Sequence, residues 1–118
     1  MQKILIIVHA PPYGSERCLS ALRLASALIG RDGERPQVRL FMMSDAVTVA
    51  LPHQVEGSGN GLQGLLELLV SEGVAIKLCR TCAMARGLVD LPLIDGISIA
   101  TLPELAEWTL EADKVITF

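Results

Sequence analysis

KILIIV, residues 3–8, is the stretch on which the fold turns. Its apolar residues are consecutive rather than alternating, so a strand built from it has no wet face, which is the pattern of a parallel sheet covered on both sides. Further short apolar runs follow: VRLFMM (38–43), VAIKLC (74–79), ISIA (97–100) and KVITF (114–118). Between them, apolar residues recur at spacings of three and four. Cys18, Ala21, Leu22, Ala25, Leu28 and Ile29 mark a helix, with Ser15 placed to cap its start and Gly30 or Gly33 to end it. Leu62, Leu65, Leu66, Leu69 and Val70 mark another, stopped at Gly73. A last helix runs from about Leu102 to Ala112. Leu102, Leu105, Ala106, Thr109 and Leu110 form its expected inner face, Glu104, Glu107 and Glu111 its wet one, and Thr101 with Glu104 has the spacing of a capping box. Ser44 and Asp45 are good caps for a short helix reaching Ala50.

Strands alternating with helices imply right-handed crossovers. The expected architecture is therefore a single α/β domain over residues 1–118, a doubly wound, mostly parallel five-stranded sheet with helices on both faces. One local pattern competes: in LPLIDGISIA (91–100), Asp95-Gly96 is also a hairpin signal, which leaves an antiparallel excursion open. PHQVEGSGNG (52–61), polar and Gly-rich, reads as a mobile surface loop.

Composition narrows the partners. A net charge of −3 with no block of like charges gives no footprint for nucleic acid or an anionic membrane. The N-terminal apolar run ILIIV, five residues leading into polar, Pro-rich sequence, is too short for a signal-peptide core or a bilayer span, so a cytoplasmic protein is expected. Three cysteines are too few and too odd for a secreted disulfide framework, and they suit a reducing compartment as thiols. The mean hydropathy of +0.47, reached with 3 % aromatic residues, is high for a small monomer and points to a homo-oligomer.

Chemistry in open parallel sheets gathers beyond the carboxyl ends of the strands, where HAPPYGSER (9–17), SDAVTVALPHQ (44–54) and CRTCAMARG (79–87) fall. In the last of these, Cys79 ends a strand and residues 81–86 can open a helical turn, whose free N–H groups would favour a thiolate. Arg80 and Arg86 would act in the same direction if they face the sulfur, and Gly87 lets the chain turn away. Zinc would need four ligands, and beyond Cys79 and Cys82 only Cys18 and the scattered His9 and His53 remain, so neither metal nor other cofactor is expected. A Cys-x-x-Cys after a strand is also where a reversible dithiol would sit, while Cys82 alone can equally be a small apolar residue inside the turn. Cys18 lies on a buried helical stripe and reads as core. APPYGSE lacks the glycine pattern and lysine of a phosphate loop, so Tyr13 and Gly14 are placed at a pocket rim. Trp108 flanks the last helix's apolar side, as an interface or a core residue.

PPYGSE, LFMMSDAV, VAIKLCRTCAMARG and LEADKVITF occur in this order along nearly the whole chain. Together they resemble the DsrE/DsrF-like sulfur-relay family. The LC..C pair with LPLIDG and TLPELAEWTL is similar to its YchN-like branch. The resemblance implies a compact α/β homo-oligomer, in this branch a hexamer built of trimers, with sulfur donor and acceptor proteins as partners. In the family's transfer members a cysteine after the third strand carries persulfide sulfur; Cys79 matches it, and Arg86-Gly87 matches the Arg-Gly that follows. Cys82 stands where those members tend to have alanine. The expectation is a sulfur carrier or sulfurtransferase-like protein. Cys79 would be its nucleophile, Cys82 and Arg86 would assist, and Tyr13, Gly14, Ser44, His53 and Gly87 would line the pocket. The alternatives are an oligomeric module that binds a small ligand or protein with inert cysteines, and a Cys79/Cys82 dithiol redox protein.

Overall fold

The computed structural model describes residues 1–55 and 61–118; the middle of the 52–61 loop lies outside the described residues. The elements are β1 (Lys3–Val8), α1 (Arg17–Ile29), β2 (Gln37–Met42), a 3-10 helix (Ser44–Ala50), α2 (Gln63–Ser71), β3 (Ala75–Cys79), α3 (Arg80–Ala85), β4 (Ile97–Ala100), α4 (Leu102–Glu111) and β5 (Lys114–Thr117). Every strand pairing is parallel, and the sheet runs β4-β3-β2-β1-β5. Each apolar run seen in the sequence is a strand, displaced by at most one residue at either end.

The antiparallel alternative at Asp95-Gly96 is not realised. The Ile94 N–H donates to the Ala50 carbonyl at 2.8 Å, which pins the connection onto the 3-10 helix. Gly96 (φ +88°) then turns the chain into β4, parallel to β3. A residue with a Cβ would be strained in that conformation.

Connections from β1 through β4 advance in one direction across the sheet and the last one reverses. Right-handed crossovers therefore place α1 and α2 on one face and α4 on the other. Leu22, Ala25, Leu66 and Leu69 build the first layer, all fully buried. The two helix ends follow the glycine signals. The Gly30 N–H donates to the Ser26 carbonyl at 3.1 Å, and Gly73 (φ +87°) donates to Val70 at 3.0 Å. Ser15 is not the cap of α1: Glu16 occupies that position, and the Ser15 hydroxyl only accepts a 3.4 Å bond from the Arg17 N–H.

The capping box of α4 is formed, with the Thr101 N–H donating to Glu104 at 2.7 Å. Its inner face is not the expected one. Leu105 is buried, but Leu102 and Leu110 are 58 % and 87 % exposed, and Ala106 and Thr109 also face water. The reason lies on the sheet. β2 and β3 present two cations to this helix, and the helix is turned so that Trp108 meets both, with Arg39 4.9 Å and Lys77 5.1 Å from its ring. Glu111 and Glu104 then pair Arg39 and Lys77 at 2.7 and 3.4 Å. Trp108 is thus packed on the sheet. No helix among the described residues is long and apolar enough to cross a membrane.

Candidate functional site

β3 runs without a loop into α3, and Cys79 is at once the last residue of the strand and the N-cap of the helix. That junction sets its chemistry. The Cys79 Sγ lies 3.2 Å from the Thr81 hydroxyl, and it makes no cap bond to the first N–H groups of α3. Burial, which leaves Cys79 2 % exposed, pushes its pKa up. The Thr81 hydroxyl first, then the nearby N–H and thiol of Cys82 and the Thr81 N–H, outweigh that burial and hold the pKa below the ordinary thiol value.

Cys82 is half-buried and shifted the opposite way. Burial raises its pKa first, then the hydrogen bond it gives Cys79 and the charge of that sulfur; the Ser44 N–H and Arg86 oppose the shift without reversing it. The two thiols of the pair are thus shifted in opposite directions, Cys79 toward the thiolate and Cys82 toward the thiol. Ser44, next to Asp45, is left-handed at φ +52°, a conformation that costs a non-glycine residue about 1–2 kcal/mol.

Arg86 does not face the Cys79 sulfur. Its Nε and Nη2 donate to Asp45 Oδ1 at 3.1 and 2.9 Å, and its Nη1 donates to the Cys82 carbonyl at 3.0 Å. The sequence reading placed Asp45 only as a helix cap and missed this partnership. The available signal was that the segments after β2 and β3 both open at the carboxyl ends of strands, where an acidic and a basic side chain can meet. Arg80 is exposed on the outer flank of α3.

The remaining expected residues fall into two other places. The Tyr13 hydroxyl donates to the Gln54 carbonyl at 3.4 Å and accepts from the Leu62 N–H at 3.2 Å, which ties together the two ends of the 52–61 loop. His53, also left-handed at φ +70°, donates its backbone N–H to the Gln63 side chain at 2.6 Å. Gly14 (φ +99°) sits in the turn beside Tyr13. Among the described residues no hydrogen bond joins Tyr13, Gly14 or His53 to either thiol. Gly87 (φ +68°) ends α3 by donating to the Met84 carbonyl at 3.1 Å, and with Arg80, Met84, Val89 and Asp90 it borders an open pocket of about 270 Å³. Cys18 is fully buried on α1, and burial pushes its pKa up to about 11, so it is no nucleophile. Among the described residues no three His, Cys, Asp or Glu side chains converge as a metal site.

Comparison with known proteins is consistent with this geometry. The family model described as DsrE/DsrF-like family matches residues 2–118. Protein YchN of Escherichia coli K12 is 52 % identical over 118 residues, covering 100 % of both chains. The crystal structure of E. coli YchN superimposes with a TM-score of 0.94 over 100 % of each chain. MTH1491 from Methanobacterium thermoautotrophicum has the same fold, with a TM-score of 0.81 at 16 % identity over 100 % of both chains.

Proposed function

We infer from one premise, that the chain belongs to the DsrE/DsrF-like family, that it handles sulfur as a persulfide on Cys79 within an oligomeric relay. The observation that carries this reading is the environment of Cys79, where hydrogen-bond donors from Thr81 and Cys82 favour the thiolate in spite of burial.

The chemistry follows from that environment. The Cys79 thiolate attacks the outer sulfur of a donor persulfide; the donor's S–S bond breaks, the donor thiolate leaves with the electron pair, and Cys79 becomes Cys–S–SH. An acceptor thiolate then attacks the outer sulfur and Cys79 leaves as the thiolate it was. No net oxidation occurs. A low pKa serves the second step directly, since a more acidic thiol leaves faster. Cys82, whose pKa is raised beside the Cys79 sulfur, keeps its own proton more readily than Cys79 does.

Because Cys79 is covered in a single chain and Cys82 is only half-covered, sulfur enters over α3, whose Arg80, Thr81 and Met84 are exposed. Donor and acceptor are proteins docking there. Leu102, Ala106 and Leu110 form an outward stripe on α4, with Val115 also exposed on β5, and this stripe supports a homo-oligomer, a hexamer in keeping with the family resemblance. Free thiols suit the cytoplasm.

A second reading draws on the two thiols lying on one turn, Cys79 at the N-cap of α3 and Cys82 three residues on, with each shifting the other's pKa. After loading, a deprotonated Cys82 attacks the inner sulfur of Cys79, the persulfide bond breaks, hydrosulfide leaves, and a Cys79–Cys82 disulfide remains for a thiol reductant to reopen. The two readings differ in one measurement. Intact mass after incubation with a persulfide donor should show one added sulfur that is absent in Cys79→Ser. In the relay reading Cys82→Ala still hands that sulfur to an acceptor thiol, and in the second it stops sulfide release. Uptake from no donor would leave an oligomeric binding module with inert cysteines.

A further inference from the structure

β5 closes one side of the sheet, and its outer edge has no strand paired to it among the described residues. None of its residues is buried, whereas β4, at the other side, buries Ile97 and Ala100. Sheets commonly guard an open edge with a proline, a bulge or an outward lysine. β5 has no proline, and its Lys114 is folded back on its own chain, with Nζ donating to Gln2 Oε1 at 2.7 Å.

The outward groups follow from one residue. The Phe118 N–H donates to the Ile7 carbonyl and the Phe118 carbonyl accepts from the His9 N–H, both at 2.9 Å, so the main chain of Phe118 faces β1. Main-chain direction alternates along a strand. Ile116 therefore faces β1 too, and the N–H and C=O groups of Val115 and Thr117 point away from it. Side chains alternate between the two faces of the sheet in the same way. Ile116 shares with Ile4 and Leu28 a cleft of about 530 Å³ on the α1 face, bordered by Arg31, Asp32 and Glu34. α1 lies over β1 and β2 and leaves this cleft open.

We propose that β5 is a two-fold contact between copies of this chain: two β5 strands pair antiparallel about Ile116 and join two sheets into one. The inference rests on the reading of the protein as a homo-oligomer and names the surface. Centred on Ile116, the register sets Val115 of each copy opposite Thr117 of the other, so every outward N–H and C=O of the two strands finds a partner. Ile116 then meets its own mate at a non-hydrogen-bonded position, where opposed side chains approach most closely. The two-fold axis keeps both isoleucines on the α1 face, and the two apolar clefts join across it. A patch that complements itself in this way closes after one copy is added. The antiparallel sense also sends the two Lys114 charges to opposite ends of the pair, where a parallel one would set them side by side. The α4 stripe lies on the other face of the sheet, so the two surfaces do not compete, and a hexamer built of trimers needs a second kind of contact.

The experiment measures mass in solution by light scattering, with thermal unfolding, for wild type, Val115→Pro and Val115→Thr. Proline removes an outward N–H that serves no bond inside the chain, so Val115→Pro folds and has half the wild-type mass, for a hexamer as for a dimer. Val115→Thr keeps the N–H and the full mass. A second variant, Ile116→Cys in a Cys79→Ser and Cys82→Ser background, is oxidised with diamide. It gives a covalent dimer, because opposed non-hydrogen-bonded positions lie within disulfide reach. Lys114→Cys in the same background gives none, its mates standing at the two ends of the pair. A folded Val115→Pro of unchanged mass overturns the inference, and so does absence of the Ile116→Cys dimer, which decides alone if the proline variant does not fold. A monomeric wild type overturns the inference and the homo-oligomer reading together.

Discussion

The Cys79 sulfur and the Thr81 hydroxyl lie 3.2 Å apart, closer than any other side-chain donor described around the thiol. Burial opposes ionisation at Cys79, so the thiolate depends on what donates to it. Thr81 is exposed on its other side, and its replacement should cost no more than about 0.5 kcal/mol of stability. Thr81→Val should therefore raise the Cys79 pKa by about one unit while unfolding barely moves, and Thr81→Ser, which keeps the hydroxyl, should leave it in place. Thiolate absorbance against pH measures both. An unmoved titration in Thr81→Val would mean that backbone N–H groups and Cys82 suffice.

The position of Cys79 was legible in the sequence because it needs only local pattern: a continuous apolar run that stops at a cysteine, then a turn of helix. The parallel sheet was legible for the same reason, since KILIIV has no polar face to offer water. Arg86 was not, because a guanidinium chooses among partners by three-dimensional proximity, and its partner Asp45 is 41 residues away. Tyr13 and His53 were placed at the pocket by their position in segments after strands; the Tyr13 hydroxyl is spent on the ends of one loop, and His53 gives Gln63 its backbone N–H. The turn of α4 escaped for a related reason. Hydrophobic periodicity put Leu102, Ala106 and Leu110 inside, but Arg39 and Lys77 on the neighbouring strands draw Trp108 inward instead.

Cys18 makes a separate prediction through linkage. Its folded pKa of about 11 stands above the ordinary thiol value, so the folded chain holds this proton more tightly than the unfolded one. The corresponding stability is complete below the unfolded value and is lost as the pH rises through about 9 to 11. The total loss over that window is about 2–3 kcal/mol. Denaturant unfolding at stepped pH should show this decline, and Cys18→Ala should flatten it. A decline of equal size in Cys18→Ala would place its source elsewhere.

The outward stripe of α4 predicts how the chain assembles. Leu110 is 87 % and Leu102 58 % exposed, and both lie on the same side of the helix as Ala106. Leu102→Glu with Leu110→Glu adds charge at two largely exposed positions, so unfolding of the isolated chain should shift by no more than about 0.5 kcal/mol per site. The same double variant should reduce the mass measured by light scattering in solution. An unchanged mass would move the contact between copies to another surface.

Trp108 joins these faces, and its loss should be felt in two ways. Its ring stands edge-on to Phe41 with centroids 6.0 Å apart and an 86° angle, so it anchors α4 to the sheet. It also shields Arg39 and Lys77, whose side chains are 21 % and 27 % exposed, and supplies each with a π face. Trp108→Ala should cost about 2–3 kcal/mol, below the range for a fully buried tryptophan because the ring is only half-covered. Trp108→Leu keeps apolar volume but not the π face, and Trp108→Phe keeps a weaker one. If packing dominates, Leu and Phe should be equally stable in urea; if the cations matter, Phe should exceed Leu by about 0.5–1 kcal/mol, and Arg39→Met should shrink that difference, the rest belonging to Lys77. The second outcome is expected, because two like charges sit on adjacent strands of one sheet face and the aromatic ring contacts both.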